Sequence, residues 1–284
     1  VTVDDCRALL AKNGFVGGSQ DPYAQFNVWG GETMTPPRYG RVFVTLAETA
    51  ESDPVAASRA IEILEKKTCV TILPEFVNPQ RFRYRVSANV PFEPLRTQLT
   101  RERLEGLVQQ ELYKKYPNRF YQSINAYEIA DCINSVESNS LNASASDVYI
   151  SISADARVSP SGIVGSVSFR NKCKPNSLTS SEFQPHPSLD IGDNLIHLYI
   201  SENEVVSSDG SQKIRARYYN GTLQVNLGVY GKFYPETGNI DFSNRALANQ
   251  SFRITVDPDS NNQTLDTKEN MMSNYTFDIS LVRV

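Results

Sequence analysis

Side chains able to move protons or attack a bond are scarce in this chain. Histidine occurs only at His186 and His197. His186 lies between Pro185 and Pro187, which marks a loop, and His197 alternates with Ile196 and Leu198, which marks the open side of a strand. No HExxH, GxSxG, Walker or GxGxxG spacing is present, so the motif routes to zincins, serine hydrolases, NTPases and dinucleotide enzymes are closed. A glycosidase would need two carboxylates about 5 to 10 Å apart in a cleft, and the sequence nominates no such pair. The reading is therefore no catalytic residue, no cofactor and no metal, and not an enzyme.

Four further patterns bear on chemistry. Asp257, Asp259 and Asn261 begin like a calcium loop, but Asn262 stands where the sharp turn needs glycine and Lys268 where the bidentate glutamate belongs. Cys6, Cys69, Cys132 and Cys173 form no CxxC pair, which reads as buried reduced thiols rather than a metal or redox site. Asn-x-Ser/Thr triplets at Asn142, Asn220, Asn249, Asn262 and Asn274 are about as frequent as a chain rich in these residues produces unaided. Arg81, Arg83 and Arg85 share one strand face, either as a contact for an acidic protein surface or as a solvated face balanced by acidic neighbours.

These residues must be positioned by elements readable from periodicity. The 284 residues are 40% hydrophobic and 21% charged, which is the composition of a folded chain. Net charge is −4, with 17 basic and 19 acidic residues up to residue 158 and 11 and 13 after it. That balance leaves no footprint for nucleic acid or an anionic membrane. No continuous apolar window is long enough for a transmembrane helix, no signal peptide is expected at the start, and a chain beginning at Val1 is expected to be part of something longer.

Residues 1–38 read as a lead-in segment with one or two helical turns at 5–12. Residues 39–158 then read strand, helix, strand, strand, helix with a second helix, strand: the βαββαβ order of a ferredoxin-like α+β domain. Its strands are 41–46, 69–73, 81–90 and 148–152. Its helices start at Ser52 or Asp53 with Pro54 in the first turn, at Thr100, and at Ser123; the last carries Ala126, Ala130 and Ile133 inward with Tyr127 beside them. From residue 159 to 284 the helical period disappears. Seven short strands, with a type I′ hairpin expected at Asn220-Gly221 and turns at Asp209-Gly210 and Thr237-Gly238-Asn239, give an antiparallel, sandwich-like all-β domain.

Two stretches go beyond composition. Asn27-Val28-Trp29-Gly30-Gly31-Glu32, followed by Pro36-Pro37-Arg38-Tyr39-Gly40-Arg41, resembles the start of the C-terminal half of a baseplate wedge protein of T4-type contractile-tailed phages, the gene six product. Phe76-Val77-Asn78-Pro79, Val167-Ser168-Phe169, Pro175-Asn176-Ser177-Leu178 and Tyr234-x-x-Thr237-Gly238-x-Ile240 continue the likeness in order over roughly residues 20–284. The resemblance implies a structural subunit, assembled in the host cytoplasm and resident in the virion tail, that self-associates as a homodimer and joins wedges into a ring around the hub. It also implies other wedge subunits as partners, notably the gene seven, twenty-five and fifty-three products, with no nucleic acid and no membrane insertion. Its motif residues are Trp29, Gly30, Gly31, Pro36, Pro37, Tyr39, Gly40, Thr237 and Gly238.

For the contact surface, the aromatic group Tyr218, Tyr219, Tyr230, Phe233 and Tyr234 is the first candidate and the arginine face of residues 81–85 the second. The alternative reading is an all-β glycan-binding module for a host surface, which an exposed aromatic platform beside a polar groove would favour.

Overall fold

A computed structural model describes residues 2–15, 26–33, 37–47, 53–67, 72–117, 119–120, 124–158, 166–187, 189–244, 247–259 and 271–283. Cys69, Pro36, Ser52, Ser123, Asn261, Asn262 and Lys268 lie outside them. The chain divides into two compact units: residues 1–81, 113–123 and 266–275, and residues 82–112, 124–265 and 276–284.

In the first unit, α1 (Val3–Lys12) starts at a reciprocal cap: Asp5 N donates to Thr2 Oγ1 at 3.2 Å and Thr2 N to Asp5 Oδ2 at 2.7 Å. Strand β1 (Phe26–Gly30) pairs antiparallel with β2 (Arg41–Leu46). Helix α2 (Pro54–Glu65) begins as its sequence dictates, with Asp53 Oδ1 accepting from Ala56 N at 2.9 Å and Pro54 at the first position. It returns the chain to β3 (Leu73–Phe76), which lies parallel to β2. Cys6 and Leu10 of α1, Ala60 and Leu64 of α2, Phe26 and Val28 of β1 and Val42, Val44 and Leu46 of β2 form one buried cluster. Each large apolar side chain buried there contributes about 2 kcal/mol.

The second unit is built on one broad sheet. Strand β4 (Gln80–Phe92) enters it from residue 82 and buries Phe82, Tyr84, Val86, Ala88, Val90 and Phe92 in strict alternation. Helix α3 (Arg101–Lys115) is capped by Thr100 Oγ1, which accepts from Arg103 N at 3.3 Å, and buries Leu104, Val108 and Leu112. After β5 (Arg119–Phe120), helix α4 (Ala126–Val136) is capped by Asn125, which accepts from Tyr127 N at 2.8 Å. Its inner side is Ile129, Ala130 and Ile133, while Tyr127 is exposed rather than inward, because it sits on the flank opposite Ile129.

The remaining strands are β6 (Val148–Arg157), β7 (Ser166–Ser168), β8 (Thr179–Ser180), β9 (Ile196–Tyr199), β10 (Gln212–Asn220), β11 (Leu223–Tyr234), β12 (Asn239–Phe242), β13 (Ser251–Val256) and β14 (Met271–Arg283). The order across the sheet is β14-β4-β6-β13-β8-β9-β10-β11-β12-β7. The start of β14 pairs with β5 within the first unit, Met272 opposite Phe120.

The class is α+β, with a small three-stranded sheet and a large, predominantly antiparallel one. Finer expectations need correcting. The four strands expected to make one ferredoxin-like sheet are divided: β2 and β3 are parallel neighbours in the small sheet, while β4 and β6 pair antiparallel in the large one. Pro74 gives β3 no N–H at its centre, which suits it to the edge of a small sheet. Nor do the strands after residue 159 form a separate sandwich, since β13 pairs directly with β6 from Ser251–Arg157 to Val256–Ile152. The Asn220 hairpin forms with Asn220 opposite Leu223, so its loop is Gly221-Thr222. Only Gly221 has a positive φ, +63°, whereas type I′ requires two.

Candidate functional site

The residues singled out from sequence fall in three places. The first is the outer side of β4. Arg83 makes two parallel bonds of 2.8 Å to the Asp155 carboxylate, and Arg253 Nε approaches the same group at 3.4 Å. Arg85 Nε donates to Asp278 Oδ2 at 2.6 Å. Arg81, in the first unit, donates to the Ala47 carbonyl at 2.8 Å. The hydrogen bonds from Arg83 hold the Asp155 carboxyl below its ordinary range despite partial burial. Carboxylates of the same sheet thus engage Arg83 and Arg85 within the protomer.

The motif glycines form the second group. Trp29 is buried and stacked on Phe43 with ring centroids 5.7 Å apart, and Gly31 O accepts from Arg38 N at 2.8 Å, closing the turn that Gly30 and Gly31 open. Pro37 lies outside regular secondary structure, Tyr39 is exposed, and Gly40 takes φ +71° before β2 begins. Thr237 and Gly238 close the β11–β12 hairpin, with Gly238 N bonded to Tyr234 O at 2.8 Å and φ +66°. These are corners, shaped by backbone.

The third place is the β10–β11 hairpin, where the aromatic candidates separate. Tyr230 and Phe233 are buried, and their assignment to a contact surface is corrected: they belong to the core. Tyr218 and Tyr234 are half-buried, and Tyr219 is exposed. On the outer face Tyr219 joins residues that periodicity alone had not gathered. His197 Nε2 accepts from Arg217 Nε at 2.5 Å, Arg217 Nη1 donates to Gln224 Oε1 at 3.0 Å, and Tyr199 Oη donates to Asn226 Oδ1 at 3.0 Å. The Arg217 guanidinium stands 4.3 Å from the Tyr199 ring centroid, and His197 stacks against Tyr219 at 6.0 Å. Three strands contribute: β9 gives His197 and Tyr199, β10 gives Arg217 and Tyr219, and β11 gives Gln224 and Asn226. Alternation in β10 puts Arg217 and Tyr219 on one side, but only the register Arg217–His197 and Arg217–Asn226 brings the six together.

Accepting at Nε2 requires a neutral imidazole, and desolvation followed by the Arg217 charge lowers the His197 pKa, with Glu182 opposing. A group whose folded pKa lies below its unfolded value contributes stability that is present above the unfolded pKa, near 6.5, and lost as pH falls through the folded one. Thermal melts are expected to show wild type losing more stability than His197→Gln between pH 7.5 and 5.5. Equal losses in the two proteins would remove this role for His197.

The other residues considered for chemistry are structural in their surroundings. His186 lies in a loop, its carbonyl accepting from Leu189 N at 3.0 Å. Asp259 lies 3.5 Å from Lys172 Nζ, and Asp257 O accepts from Lys174 N at 2.8 Å. Cys6 and Cys173 are free thiols; burial, then Asp257 and Asp259, push Cys173 up to about 12, which keeps it protonated. Among the described residues no group of three or more His, Cys, Asp or Glu is placed to hold a metal ion. No helix among them is long and apolar enough to cross a membrane. A shallow groove of about 380 Å³ in the first unit is lined by Pro54, Ala57, Ile61 and Phe76 with Glu62 and Glu65.

Comparison with known proteins finds no matching family model and no matching curated protein. Across β9, β10 and β11 the outer face presents hydrogen-bonding groups and aromatic rings beside exposed apolar side chains.

Proposed function

We propose that this chain is a structural subunit of a phage tail baseplate wedge, self-associating and linking wedges into a ring around the tail hub. The observation that carries the reading is the ordered set of motifs from Trp29-Gly30-Gly31 through Tyr234-x-x-Thr237-Gly238 that resembles the gene six product of T4-type phages. Within these motifs Gly31, Gly40, Thr237 and Gly238 shape corners next to strands, which is compatible with a part whose work is done by shape and contact. Exposed Leu195, Leu223, Val229 and Tyr219 on and beside the β10–β11 hairpin, with Tyr219 and Leu223 on opposite faces, add apolar side chains of the type used between subunits. Other wedge subunits complete its contacts, and the virion tail is its location.

Virions assembled with an epitope-tagged copy of the chain test this. Immunogold is expected to label the tail end, and label that is absent from intact tails overturns the reading. A glycan-binding module is the second reading, favoured by Tyr199, Tyr219, Arg217, Gln224 and Asn226 on one face. Against it, Arg217 covers Tyr199 and His197 stacks on Tyr219, so ring faces that a sugar would need are occupied.

A further inference from the structure

Among the described residues, the end strands β3 and β7 are blunted. Strand β3 is four residues long and carries Pro74 and Glu75, and β7 is three residues long. Both are ordinary protections against pairing with a foreign strand. Strand β11 is twelve residues long, and its outer neighbour β12 pairs only with Gly231–Tyr234. Tyr230 O accepts from Ser243 N and Val229 O from the Asn244 side chain. From Leu223 to Gly228, β11 therefore pairs with β10 on one side and, among the described residues, with no strand on the other.

That free stretch has none of the usual guards. From Tyr218 to Gly231 the sequence runs fourteen residues without a charge and without proline, in a chain that is 21% charged. Leu223 is 66% exposed, and Val225 and Leu227 are half-buried. The register Tyr218–Val225 and Asn220–Leu223 puts Val225 and Leu223 on one face, so the edge carries an apolar rim.

We infer that the Leu223–Leu227 edge of β11 docks a second copy of this chain by antiparallel edge-to-edge pairing across a two-fold axis. The missing charge chooses the occupant. In a two-fold pairing of Leu223–Leu227 the central residue, Val225, faces its own equivalent and its neighbours face one another's, so a charge at the centre would oppose itself, whereas an edge evolved for a different protein gains specificity from opposite charges. The register shift beyond Asn226, where Arg217 pairs Asn226 and Ala216 pairs Gly228, bends the strand and limits the paired segment to its N-terminal half. This inference rests on the self-association in the wedge reading and names its surface.

Sedimentation equilibrium on wild type, Val225→Lys, Val225→Glu and an equimolar mixture of the two variants tests it. Each variant alone is expected to self-associate about tenfold more weakly than wild type, and the mixture to recover, because Lys then faces Glu. Recovery also excludes misfolding as the cause of the loss. Amides of residues 224–227 are expected to gain hydrogen-exchange protection as wild-type concentration rises. Wild type that stays monomeric, or variants that associate as wild type does while those amides exchange unchanged, overturns the edge contact. Tail labelling alongside unimpaired association of the variants removes this inference and leaves the wedge reading; charge-swap recovery without tail labelling does the reverse.

Discussion

Phe233→Ala is expected to lower the free energy of unfolding by about 3 to 5 kcal/mol, while Tyr219→Ala changes it by about 1 kcal/mol or less. Both residues belong to the aromatic set of the β10–β11 hairpin, and they differ in where the sheet puts them. Phe233 has no exposure and sits in register between Gln212 of β10 and Ile240 of β12, both buried. Truncating it removes a large apolar area from the core and leaves a cavity that three paired strands are poorly able to collapse. Tyr219 is 45% exposed and loses its stacking on His197 and the approach of the Arg217 guanidinium to its ring, 5.9 Å from the centroid. Urea titrations of the two variants measure the contrast through their midpoints, provided the slope is unchanged. Similar small losses would place Phe233 outside the core.

Phe233 and Tyr230 stood among the contact candidates because a cluster of aromatic residues in sequence does not say which side of a strand each one faces. Between Ile214–Gly231 and Arg215–Val229, and again between Ala216–Gly228 and Arg217–Asn226, the register shifts by one residue. Each shift reverses which side the following residues of β11 face, and the two cancel by Gly231, so that Phe233 faces the side of Val225 and Tyr230, opposite no residue of β10, is the extra residue of the second bulge. Local signals without such interruptions were legible: β2 has the expected bounds, and Asp53 with Pro54 starts α2.

Long-range pairing was less legible. Alternation in β6 says that Ile152 faces inward, but not that it lies between Tyr84 of β4 and Val256 of β13. Hydrophobic pattern specifies a face and leaves the neighbour open, and the neighbour decides between one ferredoxin-like sheet and the division observed. The same limit applied to the outer-face cluster. His197 was readable as facing away from the core, since Ile196 and Leu198 flank it, but its hydrogen bond to Arg217 depends on the β9–β10 register.

Gly31→Ala and Gly238→Ala are expected to destabilise strongly, each by about 3 kcal/mol, from contacts already present in the backbone. At Gly31 a β-carbon would coincide with the Arg38 carbonyl, whose own amide is bonded to Gly31 O, so the turn must open to admit a methyl group. At Gly238 a β-carbon would stand 2.6 Å from Asn171 O and 3.0 Å from Phe169 Cβ, with φ at +66° adding the left-handed penalty. Phe169 N also donates to Gly238 O at 3.0 Å, which ties that turn to β7. Gly106→Ala is the control, because nothing lies within 4 Å of its β-position on α3 and alanine there gains about 1 kcal/mol. Thermal unfolding measures all three. Strong losses at Gly31 and Gly238 mean that folding alone accounts for these motif glycines, so the resemblance they carry is one of architecture. A neutral Gly238→Ala would mean that the turn yields easily, and the Tyr234-x-x-Thr237-Gly238-x-Ile240 motif would then require a role outside folding, at a surface that touches another subunit.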